Sequence, residues 1–212
     1  MEEHDTKEKI LKGSEGLFMK YGVRSISMDD IARHLSVSKK TLYQHFADKD
    51  ELVTMMAKNF LEEDKRQYEA ITAISKNAID ELSRISVLMK QTLEEMNPSL
   101  LYDLQKFHPK AWNLWQEFKQ KFIYQSMVRN LKQGIEEGNF RSEINPDIIA
   151  VARLVMIESS FNDQVFPKER FNFLEVNWQV FDFFVHGMCT DKGKKLYQKY
   201  RLEITNLETI PK

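Results

Sequence analysis

The chain has 212 residues, 42% of them hydrophobic and 30% charged, with a formal net charge of -1. This composition excludes a fibrous or intrinsically disordered protein and leaves a globular one, long enough for one large domain or two small ones. It also excludes a global pull toward polyanions, so any nucleic-acid site must be a local patch of positive charge. Cys189 is the one cysteine, which excludes an internal disulfide, points to a reducing compartment, and reads as a small apolar filler near a helix end. The opening "MEEHDTKEKI" is acidic where a secretory signal would be basic and then apolar. No apolar run approaches the length needed to cross a bilayer, so neither export nor a membrane partner is expected.

Between Gly22 and Gly134, more than half of the chain, there is no glycine, and the first proline is Pro98, so the chain is poor in strong breakers and reads as helix. In the first helix Ile10, Leu11, Ser14, Leu17, Phe18 and Tyr21 share one face, and Gly22 follows as a C-terminal cap. Two short helices are predicted next, over 28–35 and 39–46, joined by the turn "SVS", in which Ser38 is placed to cap the second through the amide of Lys40 or Thr41. Ile31, Leu35, Val37, Leu42 and Phe46 are apolar at spacings that turn them toward Leu17, Phe18 and Tyr21. Two short helices braced by a longer one make a helix-turn-helix unit. Further helices are predicted over 49–72, 77–97, 99–107, 109–137, 146–162 and 169–188. Capping pairs Ser27/Asp30, Asp48/Glu51 and Asn77/Asp80, and first-turn prolines 98, 109 and 146, mark several of their starts. The tail "DKGKKLYQKYRLEITNLETIPK" begins basic and amphipathic, and either adds a last helix or stays loose.

On the second short helix Leu42 and Phe46 face inward, which leaves Lys39, Lys40, Tyr43 and Gln44 outward. Lysine neutralises phosphate or reaches a guanine edge, glutamine bonds an adenine edge, Thr41 meets a thymine methyl or a phosphate, and tyrosine donates to phosphate. His45 and Lys49 lie beside them. The alternative is an inert solvated helix, against which an outward tyrosine among lysines weighs.

The stretch "SISMDDIARHLSVSKKTLYQHFADKDELV", residues 25–53, closely resembles the N-terminal DNA-binding domain of the tetracycline-repressor (TetR) family. The match includes a first helix ending in "YG", a small residue before "MDDIA", the "LSVS" turn, "TLYQHF" and "KDEL", and it covers about a quarter of the chain. The resemblance implies DNA contacts by Ser27, by Ser38, Lys39, Lys40, Thr41, Tyr43, Gln44 and His45 of the recognition helix, and by Lys49. Lys39, Lys40 and Gln44 fall where family members vary and are candidates for sequence readout; Tyr43, His45 and Lys49 are candidates for phosphate anchoring.

The implied plan is all-α: a three-helix helix-turn-helix DNA-binding domain, residues 1–50, joined to a larger helical bundle, residues 51–205, that binds an effector and dimerises. The sequence argues separately for a second copy. In "RFNFLEVNWQVFDFFVHGM" Phe171, Leu174, Trp178, Phe181 and Val185 form one stripe, and Phe173, Val176, Val180 and Phe184 another. Either one thick core takes both, or the second stripe, with Ile149, Met156 and Ser160, meets a partner protomer. Trp112, Trp115, Phe118 and Phe122 recur at near-helical spacing, with Phe60, Met89, Leu93 and Phe161 as neighbours; they line either a core or a cavity for a hydrophobic or aromatic effector.

The histidines at 4, 34, 45, 108 and 186 lack metal-ligand spacing, and His108 before Pro109 reads as a helix-start residue. There is no Gly-rich phosphate loop or nucleophile elbow, so neither a cofactor nor an enzymatic activity is expected. The expected function is a cytoplasmic, nucleoid-associated homodimeric regulator, most simply a repressor, that occupies a palindromic operator and leaves it when a small effector binds. The competing readings are a constitutive DNA-bound or partner-binding helical protein without an effector, and an all-helical enzyme with a vestigial head.

Overall fold

The computed structural model describes residues 2–208, and the side chains of residues 5–201. It is all-helical: α1 Glu2–Tyr21, α2 Met28–His34, α3 Lys39–His45, α4 Lys49–Ile74, α5 Ala78–Glu95, α6 Leu100–Phe107, α7 Pro109–Phe118, α8 Tyr124–Glu136, α9 Pro146–Ser160, α10 Phe173–Met188 and α11 Asp191–Glu208. Among the described residues no strand forms, and one antiparallel bridge joins Phe140 to Cys189. No described helix is long and apolar enough to cross a membrane.

The structure corrects two sequence-based expectations and decides a third point that the sequence leaves open. The helix predicted over 109–137 is interrupted at Lys119–Ile123 by a π-helical turn, which separates α7 from α8. The helix predicted from residue 169 starts at Phe173: the Pro167 carbonyl accepts from the amides of Arg170 and Phe171 in a closed turn, and Asn172 then caps α10 through the Glu175 amide at 3.0 Å. The tail becomes α11, anchored by fully buried Tyr197 and by a 2.8 Å bond from Arg201 to Asp182.

The chain falls into two compact units, residues 1–64 with 95–118, and residues 65–94 with 119–212. A boundary at residue 50 does not coincide with this division, because α6 and α7 lend Leu100, Leu104 and Ala111 to the N-terminal core of Ile10, Phe18, Ile31, Leu42, Phe46, Leu52 and Val53. Each large apolar side chain fully buried there stabilises by about 1.5–3 kcal/mol. Ile10, Leu11, Ser14, Leu17 and Phe18 of the first-helix stripe are buried as expected; Tyr21 is instead 49% exposed, under the Lys20 ammonium, because α1 ends there. Gly22 follows with φ +79°, a left-handed conformation that suits glycine, and a Cβ there would come within 2.9 Å of the Ser99 hydroxyl.

The second unit has its own core, of Ala78, Ile79, Leu131, Phe140, Ala150, Phe181, Val185, Met188, Cys189 and Tyr197. Three of its buried charges are paired, one within a helix and two across helices. Asp80 holds Arg84, Glu81 holds Arg129, and Lys119, in the π-helical turn, holds Glu158 of α9. Cys189 is the expected apolar filler: burial pushes its thiol up to about 12.

Candidate nucleic-acid interface

Two capped junctions fix the geometry of the N-terminal unit. At the start of α2 the Ser27 hydroxyl accepts the Asp30 amide and the Asp30 carboxylate accepts the Ser27 amide, a reciprocal capping box. The hydrogen bonds from the Ser27 hydroxyl and amide hold the Asp30 carboxyl below the usual carboxylate range. At its end the Val37 amide bonds the Ala32 carbonyl and the Ser36 amide bonds the Arg33 carbonyl, a Schellman motif with Ser36 at φ 54° where glycine is commoner. Ser38 then caps α3 by accepting the Thr41 amide at 3.0 Å, the second of the two partners expected from sequence.

With both junctions closed, the phase of α3 is set by Leu42 and Phe46, which are 0% and 1% exposed. Lys39, Lys40, Tyr43 and Gln44 therefore face solvent together, and Tyr43 is 51% exposed. Ser27 is exposed nearby, Thr41 and His45 are half-buried, and the Ser38 and Thr41 hydroxyls lie 2.8 Å apart. The helix thus presents two ammonium groups, a phenol and a carboxamide on one face, a set able to bond phosphates and base edges at once.

Two of the expected contacts are engaged inside the unit. The Lys39 ammonium pairs with Asp29 of α2 at 2.6 Å, on the surface. Lys49 differs from the expected phosphate anchor: its ammonium donates to the Val23 carbonyl at 2.6 Å and lies over the Phe18 ring, and burial lowers its pKa. Sequence spacing places Lys49 at the start of α4, but the direction of its side chain is set by the α1–α2 turn.

Bonds that sequence reasoning missed join α6 to this head. The Asn97 amide donates to the Met19 carbonyl at 2.6 Å, the Arg24 amide donates to Asp103 at 3.1 Å, and the His108 ring bonds Asp50 at 3.0 Å. His108 closes α6 and reaches α4, rather than serving only to start a helix. Each is a pairing of distant residues, and no local spacing announces it.

The residues expected to line a cavity are divided between the units. Phe60, Trp112, Trp115 and Phe118 belong to the first, where Trp112 packs on its core and Trp115 lies 6.3 Å from Phe118. Met89, Leu93, Phe122 and Phe161 belong to the second, where Met89 packs on its core, Phe122 meets Tyr68 edge to face and Phe161 meets Phe173. An open groove of about 440 Å³ lies along α8 between Tyr124 and Glu136 and is lined by none of them.

Of the residues expected between protomers, Ser160 and Val176 are buried within the second unit, while Ile149, Met156, Phe173, Val180 and Phe184 are half-buried. The exposed large apolar side chains of these helices are Ile148, Val151 and Val155 on α9 and Leu174 and Phe183 on α10, at 65%, 52%, 55%, 37% and 72%. Apolar residues lie on several faces of both helices, so the sequence leaves their rotational phase open and tertiary packing, of α9 on both α8 and α10, fixes it.

A helix-turn-helix whose recognition helix turns a basic, aromatic and amide-bearing face to solvent defines a DNA-binding protein. Residues 10–56 match the model of the bacterial regulatory proteins, tetR family. The chain is similar to YvaF of Bacillus subtilis, an uncharacterized HTH-type transcriptional regulator, with 28% identity over 171 residues, 79% of this chain and 88% of that protein. It is 25% identical to KstR2 of Mycobacterium tuberculosis, an HTH-type transcriptional repressor, over 144 residues, 66% of this chain and 72% of that one. Its fold is shared with a putative transcriptional regulator from Saccharomonospora viridis, solved in complex with choline: 17% identity, a TM-score of 0.71, covering 88% of this chain and 99% of that one. The match to the tetR family thus covers the N-terminal helix-turn-helix, and over most of its length the chain is similar to HTH-type transcriptional regulators.

Proposed function

We propose that the protein is a homodimeric repressor that occupies a palindromic operator and is released from it by a small hydrophobic or aromatic effector. The observation that carries this reading is the outward face of α3, with Leu42 and Phe46 holding Lys39, Lys40, Tyr43 and Gln44 toward solvent. In it Lys39, Lys40 and Gln44 read base edges. Tyr43 and His45 anchor phosphates, with Ser27, Ser38 and Thr41 adding hydroxyl donors at the rim. Lys49 acts through the head, by clamping the α1–α2 turn.

The functional division is between a reading head, residues 1–50, and a regulatory part, residues 51–205. The exposed stripe of Ile148, Val151, Val155 and Phe183 is the face a second protomer covers, with half-buried Ile149, Met156, Val180 and Phe184 beside it. A twofold dimer reads half-sites in successive major grooves, about 34 Å apart or a multiple of it. Similarity to the repressor KstR2, and to the solved SmeT–triclosan and choline complexes, supports repression and release by a small molecule. The effector favours a conformer in which the heads are mis-spaced, and α6, bonded to the head through Asn97, Asp103 and His108, carries the displacement.

The test is selection of duplexes from a random pool at near-physiological salt, with Tyr43→Ala and Lys39→Ala/Lys40→Ala alongside. A palindrome is expected, with sequence preference relaxed in the double-lysine variant and overall affinity lowered in Tyr43→Ala. Equal weak binding by all three proteins, without a preferred sequence, would refute the reading.

A further inference from the structure

Arg153 of α9 is 4% exposed, and its surroundings do not neutralise it. Its guanidinium lies over the rings of Phe181 and Phe184, 5.3 and 5.4 Å from their centres, and one nitrogen is 4.0 Å from the Met89 sulfur. Tyr68 is the titratable group near enough to act on its charge, and among the described residues no carboxylate is paired with it. Burial pushes its pKa down to about 10, which leaves it a cation at neutral pH. The other buried charges of this unit, Asp80, Glu81 and Lys119, each have an ionic partner.

An unpaired buried ion is strongly unfavourable, and two ring contacts offset it only in part. A methionine or leucine of similar volume would leave the unit as stable or more so. The charge therefore has no structural benefit at this position, and it has what an anion-binding site needs: a fork of donors withdrawn from water, where a charge-assisted pair is strongest.

We propose that Arg153 recognises the carboxylate of an anionic ligand whose apolar or aromatic body packs among Met89, Tyr68, Phe122, Phe181 and Phe184. The single cation sets the ligand's charge: a monoanion neutralises Arg153, whereas a dianionic phosphate would leave one buried charge uncompensated. The body is set by the neighbours of the guanidinium, the rings of Phe181 and Phe184 and the Met89 thioether, with Tyr68, which acts on its charge, edge to face against Phe122 at 5.9 Å. This inference rests on the effector reading and narrows it, from any apolar compound to an apolar monocarboxylate.

The test uses the full-length protein and two matched pairs of probes, 4-phenylbutyrate with 4-phenylbutanamide and decanoate with decanamide. Thermal unfolding and release of the selected operator are followed for wild type and Arg153→Met. The carboxylates are expected to raise the wild-type Tm saturably and to release DNA, and to bind Arg153→Met about 10- to 100-fold more weakly, the worth of one charge-assisted contact. Unliganded Arg153→Met is expected to melt at or above the wild-type temperature. Should it fail to fold, the claim that the charge has no structural benefit is overturned, and Arg153→Lys then tests recognition: selective loss of carboxylate over amide binding supports it, and unchanged selectivity removes it. If the amides bind and release the operator as well as the carboxylates do, the effector reading stands and the role of Arg153 falls. If no probe of either charge binds, both fall.

Discussion

Replacing Asp29 with Asn is expected to tighten operator binding. In the free protein Lys39 spends its charge on Asp29, 2.6 Å away, with the two side chains 63% and 50% exposed. An ion pair that open to water contributes about 0.2–1 kcal/mol, and in the proposed function Lys39 gives it up to engage DNA. The released carboxylate then sits on the face that meets a polyanion. At about 6 Å a single phosphate repels it by roughly 0.7 kcal/mol in water, and salt reduces that by about half. Removing the charge therefore gains about 0.5–1 kcal/mol per head, and about 1–2 kcal/mol for a dimer with both heads engaged, a Kd lower by roughly 5- to 30-fold.

The assay is fluorescence anisotropy with labelled operator at about 0.15 M salt, repeated in a Lys39→Ala background. In that background the gain from Asp29→Asn is expected to shrink to the repulsion alone. Asp29 also lies in the first turn of α2, where a negative charge stabilises the helix by about 0.3–1 kcal/mol, so a small drop in Tm accompanies the change. Weaker binding by Asp29→Asn, with the fold intact, would refute the reasoning: Asp29 would then be positioning Lys39 for DNA rather than withholding it.

Phe183→Glu is expected to leave the fold unchanged, since this ring is 72% exposed, and to weaken self-association by about 2–4 kcal/mol if α10 supplies the interface; an unchanged sedimentation profile over a dilution series would move the interface elsewhere. Burial of Asp64 on α4 raises its pKa from 3.8 to about 6, so between those values the folded protein binds a proton that the unfolded chain does not, and stability from this group rises as pH falls through 6. Asp64→Asn is accordingly expected to be more stable than wild type by up to about 3 kcal/mol at pH 8, with the gap closing toward pH 4 in denaturant titrations; a pH-independent gap would exclude titration as its cause. Ser36→Gly is expected to stabilise by about 0.5–1 kcal/mol through relief of the left-handed backbone, offset in part by the freer unfolded chain, without altering operator affinity.

The reading head was legible in the sequence because its determinants are local. Ser27 with Asp30, Ser38 with Thr41, and the inward pair Leu42 and Phe46 each act within a few residues, so spacing alone fixes which side of α3 meets solvent. Lys49 shows where locality ends, since its position follows from the sequence but its partner, the Val23 carbonyl, lies 26 residues away. In the regulatory part the signal is apolar on too many faces. Ile148, Ile149, Val151 and Val155 all qualify for the protomer face by hydropathy, and a helical rotation of one residue exchanges the buried set for the exposed one. Arg153 fell within a helix expected from its pattern, yet a lone arginine carries no hint of burial. Its isolation emerges only when α4, α5 and α10 supply Tyr68, Met89, Phe181 and Phe184 around it and none supplies a carboxylate.

The stiffness of the head bears on how a regulator of this design can switch. The capping box, the Schellman turn and the Ser38 cap close both ends of the connection between α2 and α3, so distorting α3 within the head would break several hydrogen bonds, each worth about 1 kcal/mol. Moving the whole head avoids that loss. The bonds from Asn97 to Met19, Arg24 to Asp103 and His108 to Asp50 tie α6 to α1, to the α1–α2 turn and to the start of α4, three places around the same rigid body. A displacement of α6 is thereby transmitted as a displacement of α3, with no internal rearrangement of the reading surface. On the proposed function, an effector would then need a differential affinity only as large as the energy of re-spacing the two heads of a dimer, which coupling energies of about 1–3 kcal/mol supply. Weakening one tie, for instance by Asp103→Asn, should therefore reduce the operator's response to an effector more than it reduces operator affinity itself.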